Sequence, residues 1–247
     1  MKVKARPWYD IAAQLAAVDA STSPHFKLDA DFNTMLLGVD QAAPLISRLE
    51  RDTDCLAIVE SPIPQDDVAG NKLLRQKINS PIAMHLGQPP VMTAIREGVC
   101  DGFVIGGGVR QTLSDGNLAA RAKMPFWLQI VGTGLTTTFA AHLGSVLEQA
   151  RWPAIPCVNI YSHTLLKQFK VEGGHLRVPG APGLGVELDR EAVERYRVAP
   201  DFAKPAVRQI HRISWPDGRE LWTQDGGYRG DFTAGKITGF LPGMALD

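Results

Sequence analysis

The feature that most constrains this chain is a regular alternation between short apolar runs and longer amphipathic stretches. Seven of the runs have the length and composition of β-strands, and they cover residues 2–4, 26–28, 56–59, 82–84, 102–105, 126–128 and 157–160. Six stretches with helical periodicity lie between them, at residues 11–18, 42–49, 68–78, 91–96, 113–121 and 135–147. The pattern therefore predicts a repeated strand–helix unit.

Strands that are buried on both faces and separated by crossover helices form parallel sheets. Six successive units with no reversal favour an α/β fold of the TIM barrel type, and an open doubly wound sheet of the flavodoxin-like or Rossmann kind is the alternative. The tail differs, because a short helix near residues 191–196 precedes two runs, 207–213 and 221–223, on either side of Pro216-Asp217-Gly218. Asp-Gly between alternating runs predicts a β-hairpin.

Composition narrows the ligand class. The 247 residues are 45% hydrophobic, with 26 basic and 26 acidic side chains and no lysine or arginine run. Nothing in this balance favours nucleic acid or an anionic membrane, so a small molecule is the expected ligand. The chain has no apolar run of the roughly 18–20 residues that a transmembrane helix needs and no signal-peptide core at its start, which predicts a cytoplasmic protein. Three cysteines without Cys-x-x-Cys spacing predict reduced core thiols.

Polar residues end several of the predicted strands, which is where a βα barrel carries its chemistry. Asp29 and Glu60 end neighbouring strands, and two carboxylates suit a hard cation such as magnesium. Lys4 would point into the same end of the barrel, where it is a candidate base. Burial and the like charge of Lys2 would both favour the neutral amine that a base requires. The other polar residues at strand ends are His85, Gln129 and Asn159.

Simpler interpretations exist for these positions. Asp29 or Asp31 could cap the helix that follows. His85 could be a hydrogen-bonded structural residue, and Lys2 and Lys4 could be solvated residues at a frayed terminus. The residue types alone do not decide between these alternatives.

The local sequence and its spacing resemble the barrel domain of the enolase superfamily, in its mandelate racemase and muconate lactonizing branch, over residues 2–196. Lys2-Val3-Lys4 is similar to the Lys-x-Lys of the second barrel strand, which implies that Lys4 is the catalytic base and Lys2 supports it. Leu28-Asp29-Ala30-Asp31 is similar to the Asp-x-Asn that ends the third strand. The resemblance therefore implies that Asp29 is a metal ligand, with Asp31 in place of the usual asparagine.

Further segments carry the same resemblance. Val59-Glu60-Ser61-Pro62 is similar to the Glu-Glu-Pro segment of the fourth strand, which implies that Glu60 is the second metal ligand. Residues 81–86 resemble Pro-Ile-Ala-x-Gly-Glu, but Leu86 stands where the third acidic ligand is expected, with His85 beside it. His85 or a water would then complete the magnesium site, or its affinity would be reduced. Glycine-rich segments also match, at residues 107–109, 132–134 and 182–186.

Two other positions differ from the family's pattern and affect the reaction that the resemblance implies. Gln129 stands where one subgroup has a histidine base, and Asn159 replaces the acidic residue of the eighth strand. With Asp31, these two are the candidate substrate-binding residues. Lys4 remains as the obvious base.

The position of Lys-x-Lys at residues 2–4 makes the seven predicted strands numbers two to eight of a (β/α)7β barrel. We therefore expect a barrel domain over residues 1–198 without its first strand or a capping domain, and an extension with the hairpin over residues 199–247. An open barrel would expose a parallel edge. The hairpin could cover that edge within the chain or across a dimer, and we expect a homo-oligomer; a truncated gene would give the same pattern.

The resemblance implies a lyase or isomerase in which magnesium assists removal of the α-proton of a carboxylate substrate. The Ser-Pro-Ile-Pro-x-Asp segment at residues 61–66 looks closest to acid-sugar dehydratases. Leu86, Gln129 and the missing cap motivate two alternatives: a non-catalytic barrel relative that binds an acid metabolite or a partner chain, and a fragment that needs another polypeptide to form its site.

Overall fold

The computed structural model describes residues 1–6, 9–203, 210–224 and 245–246. Two compact units make up the chain. The first comprises Met1–Asp101 with the described residues after Pro205, and the second comprises Gly102–Lys204. The domain boundary at residue 198 stays a prediction.

The first unit has four parallel strands that lie side by side in chain order. They are β1 (Lys2–Lys4), β2 (Leu28–Asp31), β3 (Leu56–Glu60) and β4 (Ile82–His85), with α1 (Ile11–Ser21), α2 (Val39–Asp52) and α3 (Val68–Arg75) between them and α4 (Val91–Glu97) after β4. A doubly wound sheet reverses direction at its switch point, whereas each of these strands lies beside its predecessor. This winding confirms the α/β class and agrees with a barrel; the absence of a first barrel strand stays a prediction.

Local sequence explains where these helices begin and which face they bury. Asp10 caps α1 by accepting a hydrogen bond from the Ala13 N–H at 3.0 Å. The amphipathic helix α2 buries residues at i, i+4 and i+7, as a helix on a sheet does, namely Ala42, Ile46 and Leu49. Within the described residues, no helix combines the length and the apolar composition needed to cross a membrane.

The first unit also contains a small antiparallel sheet. Strands β9 (Ile210–Ser214) and β10 (Glu220–Gln224) pair with each other, and β11 (Ala245–Leu246) pairs with the other side of β9. The turn between β9 and β10 holds Gly218 at a φ of +85°, a backbone conformation that favours glycine. Residues 207–209 of the predicted hairpin lie outside the described residues.

The second unit contains the parallel pair β5 (Gly102–Ile105) and β6 (Phe126–Leu128). Its helices are α5 (Val109–Arg121), α6 (Gly134–Val146) and α7 (Arg190–Arg195), and a two-stranded ribbon of β7 (Val171–Glu172) and β8 (His175–Leu176) precedes α7. Phe103, Phe126 and Trp127 are fully buried in it. Burial of these rings explains why the two strands form as predicted.

The strand predicted at residues 157–160 is wrong. Cys157 has a φ of +53°, and Val158–Ile160 form a single 3-10 turn in which the Ile160 N–H donates to the Cys157 carbonyl at 3.1 Å. Pro153 and Pro156 precede it and have no N–H to donate to a neighbouring strand. The run has the composition of a strand, but its Ile160 N–H bonds to a carbonyl of the same segment and not to a neighbouring strand.

Candidate active site

Strand register brings six of the predicted site residues onto one face of the first unit. Lys2 pairs with Asp29, Lys4 with Asp31, and Asp31 with Glu60 across β1, β2 and β3. Side chains two residues apart on a strand share a face, so all five project together. Ala83 pairs with Glu60. His85 lies two residues further along β4, so its side chain projects from the same face. The six are Lys2, Lys4, Asp29, Asp31, Glu60 and His85.

Lys2 lies between two buried carboxylates. Its Nζ is 3.1 Å from Asp31 Oδ2 and forms an ion pair with Glu60 Oε2, and its side chain is 9% exposed. Burial alone would lower the pKa of Lys2, but the negative charges of Asp31 and Glu60 outweigh it and raise the pKa. Lys2 is therefore a fixed ammonium at neutral pH, and the interpretation as a frayed, solvated terminus is wrong.

Lys4 has a more open position, so the predicted burial of this side chain is wrong. Its ammonium forms an ion pair with Asp31 Oδ2 and donates to Asn33 Oδ1 at 3.0 Å, while 49% of its side chain stays exposed. Burial alone would raise the pKa of Asp31, but the ammonium groups of Lys2 and Lys4 lower it below its ordinary value. Asp31 is thus the anion that both lysines share.

Asp29 is the acid without a cation in contact. It is 7% exposed, and no N–H group among the described residues donates to either carboxylate oxygen. Burial, with the negative charge of Glu60 beside it, raises the pKa of Asp29 to about 9. At neutral pH the side chain therefore holds a proton, unless a cation takes the place of that proton.

Neither Asp29 nor Asp31 caps the next helix, since α2 begins after Gly38. Asp31 Oδ1 instead accepts a hydrogen bond from the Asn33 N–H at 2.9 Å. That contact holds the chain at the start of the loop after β2. The capping interpretation of these two acids is wrong.

His85 faces both the acids and an open cavity. Its Nε2 is 3.2 Å from Glu60 Oε1, and 47% of its side chain is exposed. The backbone N–H of His85 donates to Gln65 Oε1 at 3.2 Å. Buried Gln65 also accepts from the Ser61 hydroxyl at 2.6 Å and donates to the Gln88 carbonyl at 2.7 Å, which ties the loops after β3 and β4 together. The cavity has a volume of about 580 Å³, and its polar lining includes Asn33, Thr34, Gln65, His85 and Gln88.

A divalent cation fits two of these acids. Asp29 and Glu60 offer the hard oxygen donors that magnesium prefers, and the oxygens of Asp29 are buried without a partner. Leu86, at the third expected position, is half-buried and apolar. Among the described residues, no three His, Cys, Asp or Glu side chains are arranged to hold one ion. The site therefore supplies two carboxylates, and the remaining ligands would come from His85, substrate or solvent.

Gln129 and Asn159 belong to the second unit. Gln129 follows β6, and its N–H donates to the Ile105 carbonyl at 2.8 Å. Asn159 lies exposed in the 3-10 turn and does not end a strand. Their substrate-binding roles stay predictions. Sequence reasoning missed Asn33 and Gln65. The only signal for them was an amide two residues beyond Asp31 and five residues beyond Glu60, the acids that end β2 and β3.

Replacing Lys2 with methionine should lower the free energy of unfolding by about 3–5 kcal/mol, because it leaves Glu60 buried without its cation. Urea denaturation followed by circular dichroism measures the change. Lys72→Met is the matched control, since Lys72 is 52% exposed and pairs with Glu97 at the surface, where such a pair contributes at most about 1 kcal/mol. Equal effects of the two substitutions would contradict a buried, structural ion pair at Lys2.

The chain is similar to known proteins both in sequence and in fold. Residues 1–192 match the family model described as enolase C-terminal domain-like. An N-succinylamino acid racemase from Amycolatopsis is 28% identical over 209 residues, which are 81% of this chain and 55% of the relative. A D-galactonate dehydratase from Ralstonia nicotianae is 51% identical over only 41 residues, 16% of this chain and 11% of the relative.

Among solved structures, a mandelate racemase/muconate lactonizing family protein from Azoarcus superposes with a TM-score of 0.67 at 27% identity, over 82% of this chain and 58% of that protein. The chain spans about half the length of the N-succinylamino acid racemase and of this solved structure. The family match ends within α7, so the antiparallel sheet of β9, β10 and β11 lies outside it.

Proposed function

Because the chain belongs to the enolase C-terminal domain-like family, we propose that it takes part in a lyase or isomerase reaction that begins with removal of the proton α to a carboxylate. One observation carries the proposal: a half-exposed lysine and two buried, clustered carboxylates project from one face of the parallel strands. A racemase and a dehydratase among the relatives agree with this kind of chemistry.

Lys4 is the proposed base. The step requires the neutral form of Lys4: after the ammonium has released a proton to solvent, the amine accepts the α-proton at Nζ, and Asp31 and Asn33 hold the re-formed ammonium through the contacts that it makes in the structure. Buried Lys2 adds a fixed positive charge where negative charge develops on the substrate carboxylate. A divalent cation held by Asp29 and Glu60, with His85 as a further candidate ligand, would supply Lewis-acid polarisation of that carboxylate.

Dehydration of a sugar acid is the outcome we propose for this reaction. The cavity beside His85 is lined by amide and hydroxyl groups, including Thr34, Gln65 and Gln88, which suit a hydroxylated chain. In such a substrate the β-hydroxyl leaves as water when the proton taken by Lys4 is returned to it. The short match to D-galactonate dehydratase supports this choice.

A non-catalytic relative is the second candidate. Apolar Leu86 at the third ligand position and the raised pKa of Asp29 favour it, because both weaken a magnesium site. Such a protein would keep the fold and bind an acid metabolite or a partner chain. The homo-oligomer and the cytoplasmic location also stay predictions, and light scattering would test the first.

Proton exchange in D2O tests the proposal directly. The chain is incubated with magnesium or manganese and a panel of sugar acids and N-succinylamino acids, and NMR follows the loss of each α-proton signal. We expect exchange with at least one sugar acid, and none with Glu60→Gln. A folded chain that exchanges no substrate and shows no metal effect on its melting temperature would favour the non-catalytic candidate.

A further inference from the structure

We propose that Asn33 is a positioning residue that holds the Lys4 side chain for proton transfer; this inference rests on the proposed function, in which Lys4 is the base. Asn33 Oδ1 accepts a hydrogen bond from Lys4 Nζ at 3.0 Å. Asn33 also lines the cavity beside His85. Asn33 therefore lies between the Lys4 amine and the cavity in which we place the substrate.

Asp31 alone does not fix the position of Lys4. Both lysines use the same oxygen, Oδ2 of Asp31, and Lys2 is the more deeply buried of the two. Lys4 carries a flexible four-carbon stem that is half exposed, so a single shared contact leaves it room to turn toward solvent. A second acceptor on a fixed backbone removes that freedom.

The backbone of Asn33 is fixed by its neighbours. The Phe32 N–H donates to the Glu60 carbonyl at 3.0 Å, and the Thr34 N–H donates to the Ser61 carbonyl at 2.6 Å. Phe32 is fully buried, and the Asn33 N–H is held by Asp31 Oδ1. These contacts tie the loop after β2 to the end of β3.

Asn33 and Thr34 adopt φ angles of +47° and +67°. This left-handed region is unfavourable for most side chains, and asparagine tolerates it best among residues other than glycine. Such conformations persist where the surrounding contacts over-determine them, and they concentrate at functional sites. Here the conformation aims the amide oxygen at Lys4.

Three variants separate the amide from the backbone conformation. Asn33→Gly removes the amide and keeps the positive φ. Asn33→Asp keeps an acceptor oxygen in the same place. Leu37→Gly is the matched control, because Leu37 lies in the same loop with a φ of +57° and has no part in the proposed site.

The first readout needs no substrate. In protein labelled with 15N-lysine, the Lys4 ammonium signal reports how fast its protons exchange with water, and Lys4→Arg assigns it. We expect at least fivefold faster exchange in Asn33→Gly, exchange no faster than that of the wild type in Asn33→Asp, and wild-type exchange in Leu37→Gly. Unchanged exchange in Asn33→Gly would overturn the proposal.

The second readout uses the substrate found in the deuterium panel. Asn33→Gly should lower kcat about tenfold while KM changes less than twofold, because misplacing a base affects the chemical step. A larger change in KM than in kcat would overturn the positioning role. If the ammonium signal responds but the wild-type chain exchanges no substrate, the contact is established and the proposed function has failed.

Discussion

Replacing Lys4 with methionine should lower the rate of α-proton exchange by a factor of about a hundred to ten thousand, the range that a general base contributes. Methionine keeps most of the volume of the stem but has no nitrogen to accept the proton. Lys4 is half exposed, so the substitution leaves no fully buried charge unpaired, and Asp31 keeps its contact with Lys2. Exchange is measured by NMR in D2O, and circular dichroism checks the fold.

Two further variants make this result specific. Lys4→Arg keeps a cation beside Asp31 but presents a guanidinium that does not release its proton in proteins, so it should be inactive and as stable as the wild type. Lys167→Met removes an equally exposed lysine, which is 55% exposed and paired with Glu187 in the second unit, and should keep full activity. Retention of exchange by Lys4→Met would remove Lys4 from the reaction.

Six of the seven strands predicted from the sequence are present, and the polar ends of β1 to β4 converge as predicted, because strands of a parallel sheet end at a common edge. The partners of each lysine could not be predicted in the same way. Shifting β1 by two residues leaves every side chain on its face, so periodicity does not decide whether Lys4 lies beside Asp29 or Asp31. Register places it beside Asp31, for which the sequence predicted a substrate-binding or helix-capping role.

Loop conformation is the second feature that could not be predicted from the sequence. Asn33 and Gln65 reach the site through loops that contain positive φ angles at Asn33, Thr34 and Ser61, and no apolar pattern encodes such angles. The failed strand at residues 157–160 has the same origin, since a left-handed Cys157 begins a turn there. Regular elements follow from side-chain periodicity, while the loop residues that orient the chemistry depend on contacts between elements.

Replacing Asp29 with asparagine should make the chain more stable than the wild type at alkaline pH. The pKa of Asp29 is raised from 3.8 to about 9 in the folded chain. Between those values the folded state holds a proton that the unfolded state has released, so the free energy of unfolding of the wild type falls as pH rises, by up to about 1.4 kcal/mol per pH unit, and levels off above the folded pKa. Asparagine does not titrate, so its advantage over the wild type should grow across this range in urea denaturation. Asp115→Asn, at a partly exposed acid on α5, is the control and should show no such trend.

Magnesium should make the wild-type chain more stable than Asp29→Asn, because a cation bound by Asp29 and Glu60 would replace the proton and stabilise the ionised form of Asp29. Binding must release the proton, so magnesium should raise the melting temperature of the wild type more at about pH 8 than at about pH 6, in proportion to ligand binding by the folded state. Asp29→Asn should lose this response, and Leu86→Glu should strengthen it by supplying a third carboxylate. A thermal-shift titration at both pH values measures all three chains. A wild-type chain that is destabilised by alkali as expected but ignores millimolar magnesium would mean that the buried acid binds a proton and no metal, and the non-catalytic candidate would then be the better account of this site.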